Sequence, residues 1–349
     1  MRPIVILVPG RLDTSTGGYV YNRRMVQGLS ERGWSVEVRE LDDSFPYPTP
    51  AALEQAARVL ADLRDGTRVL IDGLALGAMP EVIEQEAARL RIIALVHLPL
   101  GADVSIDRSV AARLEAAERH ALAAAAVIIV TGTATIALLA RYGIARDKIV
   151  VVEPGTAPAP LARGSGGIPL RLLSVATLNP NKGHEILIEA LATVPRRDWQ
   201  LTCVGSITRH PATTERVAAT IRRLDLEDRV TLVGELDAAT LDGYYDRADV
   251  FVLATLQETY GMAVAEALAR GLPVVSTATG AIPDLVGAEA GLLAPPGNIE
   301  ALARALARII GDGALRAQLA EGARCVRDRL PDWGRAYAKM ATALEHLDG

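Results

Sequence analysis

Short, almost continuously apolar runs alternate along the chain with longer segments of helical periodicity. The apolar runs are IVILV, SVEVREL, RVLID, RIIALVHL, AVIIV and KIVVVE in the first half, and LRLLSVA, QLTCVG, RVTLVG, DVFVLA, LPVVST and AGLLA in the second. Residues 18–31, 108–125 and 298–310 are examples of the helical segments. Apolar strands that are buried on both faces and joined by crossover helices form parallel sheets. The pattern therefore predicts a doubly wound, Rossmann-like α/β domain that occurs twice along the chain.

A segment rich in Pro, Gly, Ala and Ser, PGTAPAPLARGSGGIP, separates the two halves. Such a composition is typical of a linker rather than of a helix or a central strand. We predict an N-terminal domain over residues 1–160, a second domain over residues 169–330, and a C-terminal helix within residues 331–349. Because ligands bind at the carboxyl ends of the strands in such folds, we expect the functional residues in loops that follow strands, in a cleft that the two domains face.

Composition and charge give no support to several classes of function. The net charge is -5, with acidic and basic residues mixed along both halves, which gives no electrostatic footprint for nucleic acid or an anionic bilayer. The apolar run at residues 121–130 is too short to span a bilayer, and the N-terminal run stops at Pro9. Cys203 and Cys325 have no metal-ligand or redox spacing. We expect a cytoplasmic protein with no nucleic-acid partner and no strong membrane signal.

Two loops of the first half are unusual. In VPGRLDTSTGGYVYN, Gly17 and Gly18 open a helix whose free N–H groups can face a phosphate, although a flexible turn explains them equally well. This loop lacks the G-x-G-x-x-G pattern of dinucleotide binding. His97 ends the strand RIIALVHL and is either a hydrogen-bonded structural residue or a functional residue at the edge of the cleft.

A lysine marks the first unusual loop of the second half, SVATLNPNKGHEILIEAL. The chain has only three lysines, Lys148, Lys182 and Lys339, against 34 arginines. Lys182 lies where a helix begins, and the helix dipole disfavours a cation there. A bound diphosphate would explain its presence, since the ammonium and the helix N–H groups would share its charge. An exposed, solvated lysine is the alternative interpretation.

The stretch QETYGMAVAEALARGLPVVS contains two carboxylates eight positions apart. Glu258 precedes the helix, where an acid complements the dipole. Glu266 falls within an apolar helical segment, where a carboxylate needs a partner to offset its burial. Two adjacent hydroxyl groups can donate to both carboxylate oxygens without adding a countercharge, and a ribose offers that pair.

These residues identify a family resemblance. LSVATLNPNKGHEILIEALA, LTCVGS, the segment from VTLVGELD to AIPDLV, and AGLLAPPGN together resemble the retaining nucleotide-sugar glycosyltransferases of family 4, which have the GT-B fold. The match spans nearly all of the second domain in the same order. The first half is similar more loosely, through its Gly-Gly loop, His97 and VVEPGT.

The resemblance implies a role for each matching residue. Glu258 and Glu266 are the ends of the family's E-x7-E motif, so that Glu258 would contact donor-sugar hydroxyls and Glu266 the nucleotide ribose. Lys182 would neutralise the diphosphate leaving group, and His97 would lie near the transferred sugar, which makes Lys182, Glu258 and His97 the catalytic candidates. The further donor-binding residues that it implies are Gly17 and Gly18 at the diphosphate, Leu236 at the base, and the backbone of Tyr260, Gly261 and Met262.

The chain departs from the family pattern at one position. Many members have an arginine five positions before the motif lysine, and here that position is Thr177. Arg11 and Arg209 are candidates for the missing half of the phosphate clamp. In addition, ETYG stands where many members have EGFG, which changes the residues beside the donor sugar.

The function that this resemblance implies is transfer of a sugar from a UDP- or GDP-sugar to an unknown acceptor, with retention at the anomeric carbon. No cofactor besides the donor substrate is expected, and no metal, since no Asp-x-Asp follows a strand end. Three alternatives stay open: a nucleotide-sugar isomerase or phosphorylase on the same fold, an NAD-dependent oxidoreductase, and a two-domain small-molecule binding protein.

Overall fold

The computed structural model describes residues 2–346, which form two compact units. The first unit contains the chain up to Gly155 and again from Pro331 onward, and the second unit is Thr156–Leu330. Each unit is built around its own parallel sheet. The last three residues of the predicted C-terminal helix, 347–349, lie outside the described residues.

The segment predicted as a linker belongs largely to the second unit, which begins at Thr156. Its backbone is held there by two aspartates: the N–H groups of Arg163 and Gly164 donate to the carbonyl oxygen of Asp246 at 2.9 Å, and Asp249 accepts from Ser165 N at 2.9 Å. The composition predicts that this segment has no helix and no strand, but it does not predict these hydrogen bonds. The hydrogen bonds attach the segment to the second unit.

The first unit follows a strand–helix alternation. Its strands are β1 (Arg2–Pro9), β2 (Trp34–Leu41), β3 (Arg68–Asp72), β4 (Arg91–Val96), β5 (Val127–Val130) and β6 (Ile149–Val151). Its helices before the second unit are α1 (Gly17–Glu31), α2 (Pro50–Ala61), α3 (Gly73–Leu76), α4 (Pro80–Glu86), α5 (Arg108–Ala124) and α6 (Ala134–Ala140). The sheet order is β2-β1-β3-β4-β5-β6, so the order reverses between β1 and β3.

Both faces of this sheet are buried. Alternate residues of β1 enter two different apolar clusters, Val5 and Leu7 one of them, and Ile4, Ile6 and Val8 the other. This follows from the two-residue period of a strand, and it explains why the run is apolar at every position.

The second unit repeats the plan. Its strands are β7 (Leu170–Val175), β8 (Trp199–Val204), β9 (Val230–Gly234), β10 (Val250–Leu253), β11 (Val274–Thr277) and β12 (Gly291–Ala294). Its helices are α7 (His184–Ala192), α8 (Pro211–Arg223), α9 (Ala238–Arg247), α10 (Met262–Ala269), α11 (Ile282–Val286), α12 (Ile299–Gly311) and α13 (Gly313–Arg327). The sheet order is β12-β11-β10-β7-β8-β9, so the strand order reverses between β7 and β10. That reversal is where doubly wound sheets bind ligands, outside the carboxyl ends of the strands.

The C-terminal helix α14 (Trp333–Glu345) packs on the first unit. Its residues Tyr337, Met340 and Leu344 share an apolar cluster with Tyr21 and Met25 of α1. Burial of these side chains holds the helix, since each buried residue of this size contributes about 1.5–3 kcal/mol of hydrophobic free energy.

The predicted fold class, two Rossmann-like doubly wound α/β domains, is confirmed. Within residues 2–346, each of the twelve apolar runs overlaps a strand of one of the two sheets. None of the helices in that range combines the length and the apolar character needed to cross a bilayer.

Candidate functional site

A close ion pair of the second unit lies at the reversal of its strand order. Lys182 follows β7 and Glu258 follows β10, and these two strands are neighbours in the sheet. Lys182 Nζ lies 2.6 Å from Glu258 Oε2, with the side chains 24% and 16% exposed. A half-buried ion pair is screened less by water than a surface pair, so each charge strongly affects the other.

Backbone contacts explain why residues so far apart in sequence meet here. The carbonyl oxygen of Asn181 accepts hydrogen bonds from Leu256 N at 2.7 Å and from Thr255 Oγ1 at 3.0 Å. Gly183 has φ +62°, and a Cβ at that position would collide with the carbonyl oxygen of Ala254. A glycine is therefore required where the loop after β7 crosses the end of β10, and this crossing brings Lys182 against Glu258.

The residues between the two motif carboxylates form the start of α10. Gly261 (φ +97°) is the residue before the helix, and Met262 is its first residue. Tyr260 is buried, with 5% of its surface exposed. The second oxygen of Glu258, Oε1, accepts from Thr259 N at 3.2 Å. This arrangement fixes the Glu258 carboxylate just ahead of a helix N-terminus, where the N–H groups carry partial positive charge.

Glu266 lies in the second turn of α10 and is half-buried. Its Oε2 accepts a hydrogen bond from the Tyr245 hydroxyl at 3.1 Å. Burial, followed by the charge of Glu266, raises the pKa of Tyr245 well above its ordinary value, so the phenol stays protonated and acts as a donor. The guanidinium of Arg270 stacks over the Tyr245 ring at 4.3 Å and donates to the backbone oxygen of Glu266 at 3.0 Å.

The other predicted residues of the second unit lie in strand-end loops. Thr177 follows β7 and is half-buried, and Leu236 follows β9 and packs against an apolar cluster of this unit. Arg209 is exposed in the loop before α8. Thr177 and Lys182 therefore flank the same turn after β7, whereas Arg209 extends from the neighbouring strand's loop into solvent.

In the first unit, His97 immediately follows β4 and lies against α1. A Cβ at Gly18 would lie 3.3 Å from His97 Cδ2, so the glycine permits the close approach of the helix to the imidazole. The Tyr21 ring meets the imidazole edge-on, with 5.4 Å between ring centroids. Gly17 is the exposed first residue of α1. Gly18 therefore has a packing requirement, set by the approach of the imidazole.

Arg11, a candidate for the phosphate clamp, is exposed in the loop after β1. Its guanidinium pairs with Asp13, with 2.6 Å between Arg11 Nη2 and Asp13 Oδ2. Both side chains of this ion pair are exposed to solvent.

Two buried polar residues that the sequence did not single out lie beside His97. Asn22 Oδ1 is 3.2 Å from His97 Nε2, and Asp72 Oδ2 is 3.5 Å from the same nitrogen. Burial raises the pKa of Asp72, but hydrogen bonds from His97, Asn22 and Leu74 N and the charge of His97 outweigh it, and the net pKa is below its ordinary value. Their sequence signals are faint: Asp72 ends an apolar strand, and Asn22 occupies a buried helix position.

Residues 164–326 match the family model described as "Glycosyl transferases group 1". The match covers most of the second unit, including Lys182 and the two motif carboxylates.

Among curated proteins, the chain is 33% identical to the amylovoran biosynthesis glycosyltransferase AmsK of Erwinia amylovora over 221 residues. That alignment covers 60% of this chain and 53% of AmsK. The chain spans about half the length of the curated relatives that it matches at this level.

Solved structures match over almost the whole chain. Sucrose-phosphate synthase from Thermosynechococcus elongatus superposes with a TM-score of 0.84 at 23% identity, covering 99% of each chain. Anabaena Alr3699/HepE, solved in complex with UDP-glucose, superposes with a TM-score of 0.78 at 16% identity, covering 99% of this chain and 100% of that one. At such identities the match reports the fold. The chain therefore has the GT-B fold of these structures, and its residues 164–326 are similar in sequence to the glycosyl transferases of group 1.

Proposed function

We propose that the protein is a retaining, metal-independent glycosyltransferase that moves a sugar from a nucleoside-diphosphate sugar to an acceptor. The observation that carries the proposal is the Lys182–Glu258 pair at the reversal of strand order in the second unit. The group 1 family match over residues 164–326 supports it, as does the likeness in fold to a structure with bound UDP-glucose.

In this proposal Lys182 stabilises the diphosphate that leaves the donor. An ammonium has three N–H donors, so Lys182 can keep its bond to Glu258 and donate to a phosphate oxygen as well. Negative charge grows on the diphosphate as the glycosidic bond breaks, and a positioned cation lowers the energy of that state more than that of the bound donor. The N-terminal N–H groups of α7 and α10 add partial positive charge. Together these groups take the role that a metal ion has in other transferases.

Glu258 and Glu266 bind the donor through its hydroxyl groups. An ionised carboxylate is an acceptor only, so Glu258 orients hydroxyls of the transferred sugar while Lys182 and Thr259 N hold its oxygens in place. Glu266 accepts from the ribose hydroxyls, and its bond from Tyr245 fixes the carboxylate in the helix. Leu236 packs against the base, and the backbone N–H groups of Tyr260, Gly261 and Met262 donate to sugar or phosphate oxygens.

The resemblance of the first half extends the proposal to three more residues. We propose that His97 contacts the transferred sugar and that Gly17 and Gly18 approach the diphosphate. Arg11, which pairs with Asp13, and Arg209, which is exposed, are the candidates to replace the arginine that many family members have at the position of Thr177.

The first test is donor binding, measured by thermal unfolding with UDP, GDP, UDP-glucose and GDP-mannose. A ligand at 100 times its Kd stabilises the folded state by about 2.7 kcal/mol, which is a readily measured rise in Tm. Selective stabilisation by one nucleotide series is expected. If NADH stabilises the protein and none of these ligands does, the oxidoreductase alternative replaces the proposal.

The second test is turnover with the donor so identified and a panel of sugar and sugar-phosphate acceptors. Release of nucleoside diphosphate only when an acceptor is present separates transfer from isomerase and phosphorylase activity. Proton NMR of the product's anomeric coupling constant reports retention, and turnover that persists in EDTA reports metal independence. An inverted anomeric centre, or activity lost in EDTA and restored by a divalent cation, would remove the corresponding part of the proposal.

A further inference from the structure

Three polar side chains of the first unit form a connected chain that ends at His97. Asn22 Nδ2 donates to Asp72 Oδ2 at 2.8 Å, and Leu74 N donates to Asp72 Oδ1 at 3.0 Å. Asn22 Oδ1 lies 3.2 Å from His97 Nε2. Asp72 and Asn22 are 3% and 2% exposed, whereas the His97 side chain is 23% exposed. The imidazole therefore joins a buried polar network on one edge and retains accessible surface.

The carboxylate fixes the orientation of the amide. Asp72 has its pKa lowered below the ordinary value by the net effect of its surroundings, so it is ionised at neutral pH and can only accept hydrogen bonds. The amide nitrogen of Asn22 must then face Asp72, because the opposite orientation would set two acceptors against each other. The carbonyl oxygen of Asn22 consequently faces His97 Nε2.

The orientation of the amide in turn determines the proton of the imidazole. Both oxygens near Nε2, from Asn22 at 3.2 Å and from Asp72 at 3.5 Å, are acceptors. Nε2 must therefore carry a hydrogen. In a neutral imidazole the other nitrogen, Nδ1, is then an acceptor.

The surrounding residues hold the plane of the ring. Tyr21 packs edge-on against it, and Gly18 allows α1 to approach within van der Waals distance. Thr131 Oγ1 donates to the backbone oxygen of His97 at 3.5 Å. With the ring plane and the Nε2 hydrogen both fixed, Nδ1 has a defined direction.

We propose that Asp72 is a positioning residue that holds His97 with its hydrogen on Nε2, so that Nδ1 of the neutral imidazole form accepts a hydrogen bond from a hydroxyl group of the substrate. The assignment of that hydroxyl to a sugar rests on the proposed function, whereas the tautomer does not. His97 thus acts as an oriented acceptor, and Asp72 and Asn22 act through it.

The test is the tautomer of His97, read from two-bond nitrogen–proton couplings in the full chain labelled with ¹⁵N-histidine at pH 8.5. The chain has five histidines, and the spectrum of His97→Gln identifies the signals of His97. The wild type is expected to give the pattern of a hydrogen on Nε2. A hydrogen on Nδ1 would overturn the inference without affecting the proposed function.

Three variants identify which residue sets the tautomer. Asp72→Asn keeps the shape but offers a donor as well as an acceptor, so a mixture of both tautomers is expected. Asn22→Ala leaves Asp72 within reach of Nε2 and should keep the wild-type pattern. Asp65→Asn is the matched control, since Asp65 precedes the same strand and its side chain is 82% exposed. An unchanged His97 pattern in Asp72→Asn would exclude Asp72 as the positioning residue.

Kinetics then connect the tautomer with the substrate. Once a donor is identified, Asp72→Asn is expected to lower kcat about 10- to 100-fold, by analogy with the range for hydrogen-bond partners that orient metal-ligating histidines. The Kd for free nucleoside diphosphate should stay within twofold, because that ligand lacks the transferred sugar. An equal loss of kcat and of nucleoside diphosphate affinity would indicate a general structural role for Asp72 and would contradict the inference.

Discussion

Lys182 and Glu258 form an ion pair with 2.6 Å between Nζ and Oε2, although each belongs to a different strand-end loop. The sequence resemblance assigns them separate tasks, one at the diphosphate and one at the sugar. In the structure each is the other's direct partner, and both side chains are mostly buried. Removing either one leaves an uncompensated charge, so substitutions here affect stability as well as activity.

Substituting Lys182→Met should lower the free energy of unfolding by about 1–3 kcal/mol, because it leaves the half-buried Glu258 carboxylate without its charge-assisted hydrogen bond. Methionine keeps an apolar stem of similar length. The double variant with Glu258→Gln should be less destabilised than the sum of the two single variants, with a coupling of about 1 kcal/mol. Urea unfolding measures all three values.

Lys339→Met is the matched control, since Lys339 pairs with Glu153 at 3.6 Å with both side chains more exposed. Exposed pairs contribute about 0–1 kcal/mol, so this variant should change stability little. Equal losses for Lys182→Met and Lys339→Met would show that the site pair has no special strength. In the transfer assay, Lys182→Met should reduce kcat more than donor affinity.

Glu266→Ala should mainly weaken nucleotide binding. Hydrogen bonds to a charged group contribute about 1.5–3 kcal/mol, so the loss of two ribose contacts predicts a rise in Kd of at least about 100-fold. Isothermal titration with UDP and GDP measures it. Glu300→Ala, whose carboxylate is 89% exposed on α12, should leave the Kd unchanged. If nucleotide affinity survives in Glu266→Ala while turnover is lost, the ribose assignment is wrong.

The strands of both sheets could be predicted from the sequence because a doubly buried strand is apolar at every position. Two motifs that follow strands, one with Lys182 and one with Glu258 and Glu266, could also be recognised, since their polar residues interrupt apolar surroundings. The side chains that form hydrogen bonds with these residues could not be predicted. Tyr245 is indistinguishable in sequence from an ordinary core aromatic of a helix, yet its hydroxyl is bonded to Glu266.

In the first unit as well, contacts between residues that are distant in sequence could not be predicted. Asn22, Asp72 and His97 are separated by 50 and 25 positions, and only the parallel order β1-β3-β4 brings the ends of their elements together. Residues 156–169 belong to the second unit for a related reason, because Asp246 and Asp249 bind the backbone of this segment from far along the chain.

Glu118 should make the first unit less stable as pH rises. Burial is the main cause that raises the pKa of this α5 carboxyl from 4.5 to about 8, against hydrogen bonds from Leu100 N and the Tyr142 hydroxyl. Between those two values the unfolded chain releases the proton and the folded chain keeps it. The free energy of unfolding should therefore fall by about 1.4 kcal/mol per pH unit from pH 4.5 to pH 8, and then level off.

The variant that tests this is Glu118→Gln, which keeps an oxygen acceptor for Leu100 N and Tyr142 and has no proton to lose. The difference in unfolding free energy between Glu118→Gln and the wild type should grow in favour of the variant from pH 5 to pH 8. Glu84→Gln, at a side chain that is 65% exposed, is the control and should follow the wild type. A constant difference across this range would mean that Glu118 is ionised in the folded protein.

His184 should make the second unit less stable as pH falls. It is the first residue of α7, is 2% exposed, and neither ring nitrogen has a hydrogen-bond partner within the described chain. Burial, followed by the charge of Lys182, lowers its pKa from 6.5 to about 4. As pH falls from 6.5 to 4, the unfolded chain binds a proton that the folded chain does not. The free energy of unfolding should therefore fall by about 1.4 kcal/mol per pH unit over this window.

His184→Leu should remove this loss, because leucine has nearly the same volume and no ring nitrogen to protonate. The variant is expected to gain stability over the wild type progressively from pH 6.5 to pH 4.5, as measured by urea unfolding in matched buffers. His210→Leu, at an exposed position before α8, should not change the slope. Lys182→Met removes the second cause and should raise the pKa of His184, so the decline should end at a higher pH. If His184→Leu keeps the wild-type slope, another group controls the acid sensitivity of this unit.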